Sequence, residues 1–108
     1  MRALFIGDVF ATPGMTVALA FLKQHSQDYD FVIVNGENSA GGFGITKRHF
    51  DQLRAAGADV VTLGNHGFDK PDTNELLENN PRLLRAANYP PGTPGLGYHV
   101  YEARNGQR

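Results

Sequence analysis

Polar side chains that can bind a metal ion follow each of three apolar segments of the sequence. Asp8 follows the first segment, Glu37 and Asn38 follow the second, and a third cluster holds Asn65 and His66. Carboxylate and amide oxygens favour hard or borderline divalent cations, so we expect magnesium, manganese or ferrous iron rather than a soft metal. The chain contains no cysteine, which excludes disulfides and thiolate metal sites.

This set of residues suits hydrolysis of a phosphate ester. A centrally placed glutamate such as Glu37 can bridge two metal ions about 3.5–4 Å apart, and such a pair polarises a phosphoryl group and generates hydroxide. His66 can protonate a leaving alkoxide or stabilise charge on the phosphoryl oxygens. We therefore interpret His66 as the catalytic residue in the first half of a two-metal phosphoesterase site. Four residues are the predicted metal ligands: Asp8, Glu37, Asn38 and Asn65.

The elements that position these residues are predicted to form an α/β fold. Apolar segments that alternate with helical ones are typical of a mainly parallel sheet with flanking helices. The predicted strands are residues 3–6, 31–34 and 59–63, with a brief fourth strand at 83–86. Their continuous apolar runs predict burial on both faces of the sheet. Because parallel strands end at a common edge, where open α/β sheets bind ligands, we expect the three polar clusters to converge there.

Capping residues mark the predicted helix starts. Thr12 is the predicted N-cap of the first helix, which leaves Asp8 free to act as a ligand. Thr46 is the predicted cap of the second helix. The spacing of Asp72 and Glu75 indicates a capping box at the start of a short third helix.

Two other segments of the sequence predict local structure. The glycine-rich loop Gly41–Gly44 is interpreted as a structural loop that borders the site, in preference to a phosphate cradle. Tyr98–Ala103 alternates like a half-exposed strand, and Asn105–Gly106 favours a hairpin turn. A returning strand would have to follow such a turn, so we expect residues 1–108 to be the amino-terminal part of a longer, single domain.

Several of these segments together resemble one protein family. Phe5–Val9, Asn35–Gly42 and Leu63–His66 are similar to motifs of the YmdB-type branch of the calcineurin-like metallophosphoesterases, as are Ala87–Pro90 and Gly92–Gly95. The resemblance runs over nearly the whole chain. It implies that the chain is the first half of a four-layer α/β/β/α sandwich.

The resemblance also implies roles for the residues of the three clusters. Asp8 and Asn38 would hold a first metal ion and Glu37 would bridge. Asn65 would hold a second ion, and His66 would be the proton donor. The implied cofactors are two divalent ions, iron or manganese, with magnesium as a further option. The implied substrate is a small phosphodiester such as a 2′,3′-cyclic nucleotide. The family takes further histidine ligands from its carboxyl-terminal half, so the chain alone is expected to be catalytically incomplete.

Composition narrows the expected partners. The net charge of −1 provides no basic face, so extended nucleic acid is not an expected partner. No apolar stretch approaches the roughly 18 residues of a membrane span, and we expect a cytoplasmic protein without a membrane partner. Assembly into a homo-oligomer stays open.

Two other classes of function also stay open. The chain could belong to a metal-binding or regulatory module without catalysis. A Rossmann-like nucleotide-binding domain is the third hypothesis, but it calls for Gly-x-Gly-x-x-Gly directly after the first strand. Gly7–Phe10 does not match that pattern.

Overall fold

The computed structural model describes residues 1–108 and contains one parallel sheet. Its strands follow one another in the order β1 (Ala3–Ile6), β2 (Phe31–Asn35), β3 (Val60–Thr62) and β4 (Leu83–Leu84). Three α-helices connect them: α1 (Ala11–His25), α2 (Lys47–Ala56) and α3 (Thr73–Asn79). The predicted α/β fold with a parallel sheet is therefore confirmed. None of the helices has the length and apolar character needed to cross a membrane.

The helices cover a single face of the sheet. Each strand lies beside the preceding one, and right-handed crossovers between such neighbours carry every connecting helix over the same side. One cluster of 16 buried residues joins all three helices to the strands. In it, Leu22 of α1, Leu53 of α2 and Leu77 of α3 accompany Val34 and Val61 of the sheet. The core thus lies between a helix layer and a sheet layer.

The expectation that the strands are buried on both faces is wrong. Along β2, Val32 and Val34 are buried against the helices, whereas Phe31 and Ile33 are only partly buried. Phe5 of β1 is 61% exposed. The physical reason is the consecutive strand order, which leaves the second face of the sheet without helices. An apolar run alone does not reveal on which side a helix will pack.

The first helix starts differently from the prediction. Its N-cap position is held by Phe10, whose side chain makes no capping hydrogen bond, so Thr12 is not the cap. The N–H of Ala11 instead donates to the backbone carbonyl of Asn38 at 2.9 Å. One of the unpaired donors of the helix start is therefore satisfied by the loop after β2, and a side-chain cap is not needed there.

Of the caps predicted for the other two helices, one is confirmed and one is wrong. Thr46 caps α2 as predicted, since its hydroxyl oxygen accepts a hydrogen bond from the N–H of His49 at 3.2 Å. Asp72 occupies the N-cap position of α3, but its side chain makes no capping bond, and the predicted capping box with Glu75 is not formed. The φ of −88° and ψ of 1° at Asp72 depart from the extended backbone that capping residues usually adopt.

The predicted strand at Tyr98–Ala103 is absent from the structure. Tyr101 packs against Phe31 of β2, with 5.9 Å between ring centroids, but the segment does not pair with any strand and so has no hydrogen-bonded ladder. The turn after it does form: the N–H of Ala103 donates to the carbonyl of Gln107 at 2.7 Å, and Gly106 has a φ of 85°. The guanidinium of Arg104 binds several backbone carbonyls near the amino ends of the strands. The segment is held by these contacts.

Candidate active site

All five candidate residues lie at the same edge of the sheet. Asp8 follows β1, Glu37 and Asn38 follow β2, and Asn65 and His66 follow β3. Because the strands are parallel, these positions are all at carboxyl ends. Residues about 30 positions apart in sequence are thereby placed close enough for direct contact.

Asp8 and Asn38 form the first contact across this edge. The amide Nδ2 of Asn38 donates to Oδ1 of Asp8 at 2.8 Å. Asp8 has a φ of 48°, and Ala11 has a φ of 51°. The left-handed region is uncommon for residues other than glycine, and conformations of this kind concentrate at functional sites. Two backbone bonds hold the Asp8 loop in this shape: Val9 N–H donates to the carbonyl of Asn35, the last residue of β2, at 3.1 Å, and Ala11 N–H donates to the carbonyl of Asn38 in the loop that follows, at 2.9 Å.

Glu37 forms the second contact, with the loop after β3. Its Oε2 accepts a hydrogen bond from the backbone N–H of His66 at 3.4 Å, and its Oε1 accepts one from Asn35 Nδ2 at 3.5 Å. A β-carbon on Gly64 would lie 2.5 Å from Oε1 of this carboxylate. The absence of a side chain at position 64 is therefore what lets Glu37 reach across the end of β3.

The imidazole of His66 is held from two sides. Its Nδ1 is 2.7 Å from Oδ2 of Asp69. The ring of Phe43 meets it edge-on, with 5.3 Å between ring centroids and 81° between the ring planes. Its Nε2 makes no hydrogen bond within the protein, and the side chain is 35% exposed. Asp69 was not predicted as a site residue from the sequence. Its position three residues after a candidate histidine is a spacing from which the contact could have been predicted.

Asn65 is the least constrained of the candidates. It is exposed and makes no side-chain hydrogen bond with the other four residues. Its position in sequence, between Gly64 and His66, places its backbone beside the carboxylate of Glu37. The structure thus joins the other four candidates by hydrogen bonds in two pairs and brings Asn65 to the same edge without such a bond.

The glycine-rich loop packs between the two contacts, as expected of a structural loop at the border of the site. A β-carbon on Gly42 would lie 3.0 Å from the ring of Phe10. One on Gly44 would lie 3.2 Å from the carbonyl oxygen of His66 and 3.5 Å from Cβ of Asp69. Both glycines have positive φ, 94° and 77°. Close packing and backbone conformation therefore both favour glycine here.

The donor atoms fit a hard divalent cation. No three side chains drawn from histidine, cysteine, aspartate and glutamate cluster closely enough to hold an ion. Amide oxygens are also ligands for such ions, and Asn38 Oδ1 is buried without a hydrogen-bond partner. Asp8 lies against the same side chain. An unsatisfied carbonyl oxygen beside a carboxylate is a favourable position for a cation, because the ion would satisfy both groups.

Known proteins are similar to this chain in sequence and in fold. The chain is 41% identical to the 2′,3′-cyclic-nucleotide 2′-phosphodiesterase of Bacillus subtilis (strain 168), over 99% of this chain and 41% of that protein. A crystal structure of a hypothetical protein from Thermus thermophilus matches with a TM-score of 0.85 and 48% identity, over 90% of this chain and 38% of that one. A crystal structure of a phosphatase from Mycoplasma pneumoniae matches with a TM-score of 0.77 and 28% identity, over 94% and 40%.

The chain spans about 41% of the length of its Bacillus relative. The family described as YmdB-like protein matches residues 4–108, which is nearly all of the chain. The expected resemblance is confirmed, and the chain belongs to the YmdB-like protein family.

Proposed function

We propose that this chain supplies one side of the active site of a metal-dependent phosphodiesterase. The substrate class would be small phosphodiesters such as 2′,3′-cyclic nucleotides, in keeping with the name of the Bacillus relative. The observation that carries the proposal is the contact of Glu37 with the loop of His66, next to the Asp8–Asn38 pair, at one edge of the sheet. Carboxylate, amide and imidazole groups in that arrangement suit metal-assisted hydrolysis.

The proposed metal ligands divide between the two contacts. Asp8 and Asn38 would hold one ion, Glu37 would lie between two ions, and Asn65 would hold the second. Iron or manganese, or else magnesium, would supply Lewis acidity and an activated water when bound. In the structure Nδ2 of Asn38 faces Asp8 and Oδ1 has no partner, so the amide would turn its oxygen toward an ion that it held together with Asp8.

His66 would transfer the proton that the leaving group needs. Ring opening of a cyclic phosphodiester breaks one phosphorus–oxygen bond. A hydroxyl group from water adds at phosphorus, and the remaining proton of that water balances the proton that His66 would give up. The departing oxygen would take its proton from Nε2 of His66, the ring nitrogen without a partner in the protein. The backbone bond from His66 to Glu37 would fix the distance between the proton donor and the bridging ligand.

The remaining metal ligands would come from outside the 108 residues. Two ions that each bind four or more ligands need more donors than the four side chains supply. The relatives are more than twice as long as the region that matches, so they have room for such ligands. We therefore propose that the isolated chain does not turn over phosphodiesters.

The proposal is tested by metal content and hydrolysis in the full-length protein that carries these residues. We expect manganese-loaded protein to open 2′,3′-cyclic AMP and Glu37→Gln to lose both metal and turnover. Asp51→Asn is the control, because Asp51 makes only an exposed ion pair with Lys47. Metal binding without hydrolysis would favour a regulatory module. Nucleotide binding without metal would favour a nucleotide-binding domain, and either outcome would overturn the proposal.

A further inference from the structure

The geometry points to Asp69 as the residue that positions His66 for proton transfer, an inference that rests on the proposed function. The Oδ2 atom of Asp69 lies 2.7 Å from Nδ1 of His66. Asp69 is neither one of the predicted metal ligands nor the predicted proton donor. It would act through the imidazole and not on the substrate.

A short turn fixes the distance between the two side chains. The backbone N–H of Asp69 donates to the carbonyl of His66 at 3.2 Å. The backbone of Gly44 packs against this turn, since a β-carbon there would meet both the His66 carbonyl and Cβ of Asp69. The two side chains have similar exposure, 35% for His66 and 38% for Asp69. The turn therefore places the carboxylate beside the ring before any substrate arrives.

Three contacts together leave the His66 ring one free nitrogen. Its backbone is tied to Glu37, its Nδ1 to Asp69, and its ring is limited on one side by Phe43. A carboxylate accepts hydrogen bonds and donates none when ionised, so the hydrogen of Nδ1 points at Asp69. The nitrogen left to meet a leaving oxygen is Nε2.

The consequence for the reaction is a fixed orientation and a fixed tautomer. An aspartate on the far nitrogen of a catalytic histidine holds the ring in place and stabilises the imidazolium form that donates a proton. Proton transfer from Nε2 to the departing oxygen leaves the hydrogen on Nδ1 unchanged. Without Asp69, the ring could rotate and turn Nε2 away from the departing oxygen.

The chain contains a matched pair for comparison. His25 Nδ1 lies 3.2 Å from Oδ2 of Asp28, with the same three-residue spacing. This pair lies at the carboxyl end of α1, shortly before β2 begins, so it is at the opposite edge of the sheet from the candidate site. Asp28→Asn removes the same type of interaction without touching the site and is the control for Asp69→Asn.

The first test compares two leaving groups in the full-length protein. For 2′,3′-cyclic AMP we expect Asp69→Asn to lower kcat by about 10- to 100-fold, with KM within about threefold, and Asp69→Glu to recover part of the loss. For bis(p-nitrophenyl) phosphate we expect less than about a threefold loss, because p-nitrophenolate leaves without a proton. In a His66→Ala background, Asp69→Asn should add no further loss. Equal losses on both substrates, or additive losses, would overturn the inference.

The second test does not depend on activity. Nitrogen NMR of the His66 ring in metal-free protein should show the hydrogen of the neutral form on Nδ1. Asp69→Asn should move it largely to Nε2, whereas Asp28→Asn should leave it in place. An unchanged tautomer in Asp69→Asn would overturn the inference. If the wild-type protein hydrolyses neither substrate but shows the expected tautomer, the proposed function fails while the positioning contact stands.

Discussion

Gly64 and Glu37 approach each other so closely that position 64 has no room for a side chain. A β-carbon on Gly64 would lie 2.5 Å from Oε1 and 2.6 Å from Cδ of Glu37. Gly64 is not among the glycines with positive φ, so its backbone conformation does not by itself require glycine. The close approach of the carboxylate is the reason for glycine here.

We expect Gly64→Ala to displace the Glu37 carboxylate and so weaken metal binding more than it weakens the fold. The partly exposed glutamate can move away, and alanine suits the backbone, so the melting temperature should change little. Manganese affinity by calorimetry and Tm by differential scanning would separate the two effects. Gly7→Ala is the control, because its β-carbon would meet only Phe5, at 3.5 Å. Unchanged affinity in Gly64→Ala would contradict the role of Glu37.

A second prediction separates a proton donor from a ligand. We expect His66→Ala to lower turnover of a cyclic nucleotide by about 10²- to 10⁴-fold while the protein keeps its metal. Elemental analysis beside hydrolysis rates would measure both. His99→Ala, an exposed residue away from the site, is the control. Parallel loss of metal and rate would make His66 a ligand instead.

A third prediction concerns the 108-residue chain by itself. We expect it to bind manganese weakly and to leave cyclic nucleotides intact, because Asp8, Glu37, Asn38 and Asn65 offer oxygen ligands from one side only. Supplying the additional residues of a longer protein, in the same chain or in trans, should raise affinity and rate together. Calorimetric titration and hydrolysis assays on both proteins test this. Comparable affinity and turnover in the short chain would show that no other ligands are needed.

A fourth prediction uses the pH dependence of stability. Burial lowers the pKa of His49, and the positive charges of Arg48 and Lys70 lower it further. Because this pKa lies below the ordinary value of about 6.5, the unfolded chain binds a proton more tightly than the folded one. The stabilising contribution is complete above about pH 6.5 and is lost as the pH falls through the folded pKa.

We therefore expect His49→Gln, which cannot titrate, to flatten the decline in the free energy of unfolding below about pH 6.5. The glutamine keeps a polar group near Thr46, whose hydroxyl oxygen lies 2.7 Å from His49 Nδ1. Chemical denaturation at several pH values measures the slope. His99→Gln, a substitution at an exposed histidine, is the control. Equal slopes in His49→Gln and wild type would contradict the effect of burial.

The edge on which the site forms could be predicted from sequence because it follows from topology. Apolar runs mark the strands, and parallel pairing places their carboxyl ends together whatever the details of packing. Glu37 and His66 were for this reason expected to be neighbours, and the structure joins them by a hydrogen bond. The cap at Thr46 could also be predicted from the sequence, because capping there involves only residues of the same turn.

Features that depend on distant contacts could not be predicted in this way. Ala11 starts α1 because its N–H meets Asn38, 27 positions further on, and this contact replaces the expected cap at Thr12. The exposure of Phe5 depends on which side of the sheet the helices cover, which its own apolar segment does not encode. The roles of the metal ligands remain predictions until metal content is measured.

The strand order β1-β2-β3-β4 repeats the order in which a ribosome makes the chain. Each new strand adds to the one made just before it, so pairing requires only short loop closures and no strand waits for a distant partner. The contacts of the candidate site can form in the same order. Asp8 meets Asn38 when β2 joins β1, and Glu37 meets the His66 loop when β3 joins β2. The nascent polypeptide can therefore build the edge that carries the proposed metal ligands in stages, from the amino terminus onward.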